Sequence, residues 1–212
     1  MSTTAVSERS RLLARGVTLE VLTVAWNAIE AVVAIAAGIV AGSVALVGFG
    51  LDSVIESISG IALYRRLAFE LKGASAKESE AGERRALWFV GISFYLIAAY
   101  VLLDAATSLI QRSAPESSPL GIALAAVSLV VMPLLAWAKR RTGKALQSRA
   151  LIADAAETFV CAYLSFALLL GLGLNAVLGW WWADPVAALL MLPLIVKEGY
   201  EAIESARGEG EY

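Results

Sequence analysis

Asp52 and Glu56 stand four residues apart, and Glu157 and Cys161 repeat that spacing. On helices, each pair would present its two side chains on one face, one turn apart. Packed face to face, the two helices would gather three carboxylates and one thiol around a point. Oxygen and sulfur donors in that number suit a tetrahedral divalent transition metal, and no loop is needed to build the site. The chain has no histidine, so any mechanism that needs an imidazole base or ligand is excluded. Its one cysteine, Cys161, excludes an internal disulfide framework and a Cys-rich zinc ribbon. With no nucleophile–base pair and no cofactor loop, the chain reads as neither an enzyme nor the holder of a resident cofactor.

The elements that must position these residues are membrane helices. Of 212 residues, 59% are hydrophobic and 17% charged, and the mean hydropathy is +0.73. A soluble domain runs nearer 45–50% apolar and about 25% charged. The net charge of −2 gives no basic surface for nucleic acid. A span needs about 20 mostly apolar residues, and six stretches qualify: 17–41, 43–64, 86–111, 119–138, 146–173 and 177–203. Gly42-Ser43 implies a tight hairpin between the first two. A polar run over 65–85, a proline-bounded loop over 113–119, the basic run from Lys139 to Lys144, and Gly171 to Asn175 separate the others.

Lysine and arginine set the orientation. The N-terminal tail, the two long polar connections and the C-terminal side hold three, six, five and two of them, against only Arg112 on the opposite side. The expected fold is therefore an all-α membrane protein with six transmembrane helices and both termini cytoplasmic. It divides into a cytoplasmic tail over 1–16, a six-helix domain over 17–204 and a short C-terminal tail over 205–212. The first apolar stretch is too long for a signal peptide and carries Asn27 and Glu30, so it stays as a mature span. Trp180, Trp181 and Trp182 fit the aromatic belt at the outer interface. The expected location is integral and multi-pass, in the cell (plasma) membrane.

Glu30, Asp52, Glu56, Asp104, Asp154 and Glu157 fall inside the spans. An ionised residue at the bilayer centre costs about 2.5–3.5 kcal/mol, so six unpaired ones would cost on the order of 15–20 kcal/mol. Marginal stability cannot absorb that. No lysine or arginine falls mid-span to neutralise them, so they are protonated, face water, or await a cation. Asp52, Glu56, Glu157 and Cys161 are the expected metal ligands. Glu30, with Asn27 one turn away, is an accessory ligand or a proton carrier. Asp154 guides ions, accepts a proton, or bonds a neighbouring helix. Asp104 is expected to be structural, with Arg112 or water as partner. Asp184, before Pro185, reads as the cap and first turn of the sixth helix.

Two segments resemble the cation diffusion facilitator family. The first is Asn27-Ala-Ile-Glu30 followed by Gly42-Ser-Val-Ala-Leu-Val-Gly-Phe-Gly-Leu-Asp52-Ser-Val-Ile-Glu56. The second is Ala153-Asp154-Ala-Ala-Glu157-Thr-Phe-Val-Cys161 followed by Trp182-Ala-Asp184-Pro185. The resemblance implies a six-helix homodimeric exporter that exchanges divalent metal for protons by alternating access. It also implies that the pair on the second helix faces the pair on the fifth. Three departures stand out. The family usually places Asp or His and then Asp at these pairs. Neither a histidine-rich loop nor the cytoplasmic metal-binding domain that commonly follows the sixth helix is found in these residues, so dimerisation would rest on the membrane helices.

The expected function is efflux of a divalent transition metal by proton-coupled antiport. Carboxylates and thiol must deprotonate to bind, which couples metal to protons. The thiolate tilts the choice from the hardest ions, giving zinc first, then cadmium, cobalt, iron(II) and manganese. The alternative is a non-transporting membrane subunit or metal sensor that partners a full-length exporter. A third possibility, a carrier of organic cations, predicts no dependence on metal.

Overall fold

The computed structural model describes residues 3–72, 80–113 and 115–207. Six helices follow in order: α1 (Thr3–Ala41), α2 (Val44–Leu71), α3 (Glu80–Gln111), α4 (Pro119–Leu146), α5 (Arg149–Leu178) and α6 (Ala183–Arg207). Five contain stretches long and apolar enough to cross a membrane: Glu8–Ala41, Val44–Leu71, Gly91–Gln111, Pro119–Leu146 and Arg149–Leu178. The sixth carries Asp184, Lys197, Glu198 and Glu201 and packs along α3 and α5. The chain is an all-α membrane protein.

Local chemistry explains the helix ends. Ser43, Ser118 and Ser148 precede α2, α4 and α5, and each hydroxyl accepts the N–H three residues on, at 3.1, 3.1 and 3.4 Å. Pro119 occupies the first turn of α4, where its missing N–H costs nothing. Gly42 turns the α1–α2 hairpin with φ +66°, and Gly179 ends α5 with the same value.

Several helices run past the expected span limits. Lys139 to Lys144 does not stop α4, which continues to Leu146, because Lys and Arg are good helix formers and the end signal lies at left-handed Gln147. Gly171 to Asn175 does not break α5. A side chain at Gly171 would meet Ala187 Cβ at 2.6 Å, so that glycine serves close packing on α6 rather than a turn. Most of the expected N-terminal tail is helical, and α2 extends into the polar run to Leu71. The middle of that run, residues 73–79, lies outside the described residues, as do 1–2 and 208–212.

Four helices close a ring: α1 on α2, α2 on α5, α5 on α4, and α4 on α1. The α3–α6 pair lies beside it, against α2 and α5. Phe49, Leu46, Met132, Leu164 and Leu168 are fully buried, while Val32, Ile39, Val40, Ile110 and Val177 face outward as lipid-facing positions require. The α1–α2 hairpin is packed backbone to backbone. A Cβ at Gly38 would come within 2.8 Å of Val47 N, and one at Gly50 within 2.9 Å of Ile35 N. Gly50→Leu should therefore wedge the hairpin open and cost about 1–3 kcal/mol. Thermal unfolding in detergent would reveal it as a lowered midpoint; an unchanged midpoint would refute the close packing.

Candidate metal centre

Asp52 and Glu56 lie one turn apart on α2, and Cys161 sits on the α5 face against them. One ligand atom from each lies within 4.8 Å of the others, and all three residues are buried. Neither carboxyl oxygen of Glu56 has a hydrogen-bond partner. A buried carboxylate with both oxygens unpartnered is costly unless a ligand or proton completes it. Two carboxylates and a thiol supply three donors of the kind that bind zinc and its neighbours.

Glu157 does not join this group. It is half-buried, and its Oε2 accepts from Ser59 Oγ of α2 at 3.1 Å. Its backbone lies one turn before Cys161, as the spacing requires, but the side chain is drawn one turn along α2 by the serine. Glu30 is fully buried and fully bonded. Trp26 Nε1 donates to it at 2.7 Å, Ser53 Oγ at 3.3 Å, and Ser128 Oγ also donates. It thereby ties α1 to α2 and α4 beside the three-donor cluster. Asn27 is buried as well, with neither its amide nitrogen nor its oxygen partnered.

The expectation that no basic side chain neutralises the acids of the spans is overturned by Lys139. Because α4 continues as a helix, Lys139 is carried into the ring and is completely buried. Its Nζ donates to Asp154 Oδ2 at 2.5 Å, Glu20 Oε2 at 3.2 Å and Thr158 Oγ1 at 3.2 Å. Asp154 is therefore one arm of a buried ionic triad whose other acid, Glu20, the sequence reading passed over. The available signal was an acid three residues inside an apolar run and a lysine at the end of another. Glu198 of α6, also missed, is buried too.

The remaining acids have partners of other kinds. Asp104 accepts from Tyr100 Oη at 3.1 Å, one turn back on its own helix. Asp184 is in the first turn of α6, but its carboxylate serves α2: Ser43 Oγ donates at 2.5 Å and Ala45 N at 3.4 Å. It thus strengthens the α2 cap from the start of α6. Near it, Trp180 and Trp182 stack with ring centroids 5.0 Å apart.

A family model described as the cation efflux transmembrane domain matches residues 21–208. The chain is 29% identical over 154 residues to an uncharacterised transporter of Synechocystis, covering 71% of this chain and 49% of that protein. It is 31% identical over 150 residues to transmembrane protein 163 of Xenopus laevis, covering 70% and 52%. To the cation-efflux pump FieF of Shewanella oneidensis it is 24% identical over 176 residues, covering 77% and 57%. The chain thus spans about half the length of these curated relatives.

Proposed function

Because the chain belongs to the cation efflux family, we propose that it exports a divalent transition metal, zinc first, in exchange for protons. The observation that carries this reading is the meeting of Asp52, Glu56 and Cys161 in the buried interior, with one donor atom of each within 4.8 Å of the others. A divalent cation is the partner that such a cluster lacks. Glu157 is the fourth ligand in this reading and exchanges its Ser59 bond for the metal. Asn27, unpartnered and buried, offers an additional oxygen, and Glu30 fixes the three helices that frame the site.

Metal arrives from the cytoplasmic side, where the lysines and arginines concentrate, and displaces protons from carboxylates and thiol. Alternating access then exposes the site to the other side, where protons return and release the ion. The protein works as a homodimer joined through its membrane helices, in the plasma membrane. The thiolate ranks zinc and cadmium above cobalt, iron(II) and manganese.

Proteoliposomes with an imposed pH gradient test this directly. Wild-type protein should move zinc, and Asp52→Ala should lower the flux by about 100-fold, the ratio expected for losing one charged ligand. Undiminished flux in the variant would overturn the assignment. Metal binding without any flux would instead support the sensor or subunit. Cys161→Ser should keep transport but lower cadmium relative to manganese at least about tenfold, measured in the same vesicles across a metal panel.

A further inference from the structure

The Glu20–Lys139–Asp154 triad has a definite place relative to the metal centre. Along α5, the helix that starts at Arg149, Asp154 precedes Cys161 by seven residues, which is about 10 Å of helix axis. Glu20 likewise precedes Asn27 and Glu30 on α1, and Lys139 follows Ser128 on α4. All three helices carry the triad on the side of the basic loops and the donor cluster beyond it. The fourth wall is α2, where Gly60 leaves room for the acid: a Cβ there would sit 3.3 Å from Glu20 Oε2. The triad therefore fills the inside of the four-helix ring, with its three side chains buried.

Packing alone does not explain it. Buried ion pairs are seldom more stable than apolar residues of the same volume, and their best-attested use is in specifying or switching a state. Here two carboxylates face one ammonium, and Glu20 Oε1 and Asp154 Oδ1 remain unpartnered. Lysine is a compact charge on a flexible stem, suited to leaving and retaking such a position. Building on the transport reading above, we infer that Lys139 is a tethered cation that closes the route from the basic side to Asp52, Glu56 and Cys161. When α4 and α5 part from α1 on that side, the Lys139–Glu20 contact opens, and the route past both acids is exposed to the arriving cation.

Cys161, the single cysteine of the chain and buried, is a built-in probe of that route. Metal-free protein in vesicles of known orientation is treated with a membrane-impermeant maleimide from either side, and Cys161 labelling is timed. Lys139→Met is the direct variant but strands two buried acids, so Asp154→Asn and Glu20→Gln carry the test. Glu20→Gln should raise the labelling rate from the basic side by about tenfold, the ratio for one charge-assisted hydrogen bond across the parting helices. Asp154→Asn, which loosens a contact within the α4–α5 pair, should raise it less, and labelling from the opposite side should stay at the wild-type rate in both. Folded variants labelled from the basic side at the wild-type rate would overturn the proposal. So would an equal rise from both sides, which reports general loosening. No metal enters the assay, so a failed clasp is distinguishable from a failed transport site.

Discussion

Glu56→Gln is expected to weaken metal binding at least about 100-fold, equivalent to about 2.7 kcal/mol, while leaving the metal-free protein about as stable as wild type. The two effects have one cause. Glu56 is buried within reach of Asp52, and in the exchange proposed above the empty site holds protons until the metal displaces them. The amide keeps the shape of the protonated acid and cannot ionise to receive the ion. Calorimetric titration with zinc and thermal unfolding with and without zinc check both halves. The variant should unfold with wild type in chelator and gain far less from added zinc. A variant that loses binding and stability together would mean that Glu56 holds the fold and not the metal.

Lys139→Met is expected to destabilise the protein by about 3–5 kcal/mol, because removing one partner leaves Glu20 and Asp154 buried without a counter-charge. The triple variant Glu20→Gln, Lys139→Met, Asp154→Asn should recover most of that loss, since no buried charge remains. Unfolding of the two variants in one detergent, side by side, separates the cost of a stranded charge from the cost of lost packing. Equal destabilisation in both would assign the effect to packing.

What could be read from the sequence follows the range of the interaction that fixes each residue. That Asp52 and Glu56 share one face of α2 was legible because a four-residue spacing is a local property and helices transmit it faithfully; that Cys161 meets them depends on the packing of α5 on α2. Glu157 has the same spacing, yet its side chain follows Ser59, a partner 98 residues away that no local pattern reveals. Lys139 was hidden by its neighbours. Standing first in a run with Arg140 and Arg141, it looks like the edge of a loop, and only the contact of α4 with α1 and α5 buries it. Asp184 had the sequence context of a cap for its own helix, and the fold turned it toward α2. Helix existence was legible throughout from length and hydropathy. Helix ends were not, because charged residues that are good helix formers continue a helix beyond its apolar stretch.

The glycine-packed contact of α1 with α2 has a mechanical consequence. Gly38 and Gly50 lock those helices at backbone distance, and Gly143 does the same for α4 and α5, where a Cβ would lie 3.1 Å from Ile152 N. Each hairpin then behaves as one jaw. Asp52, Glu56 and Glu20 ride on the first jaw; Cys161, Lys139 and Asp154 ride on the second. The seam between the jaws cuts both the donor cluster and the ionic clasp, so a single tilt of one jaw lengthens both sets of contacts. On the transport reading proposed above, affinity for the ion and closure of the route are thereby geared to the same displacement.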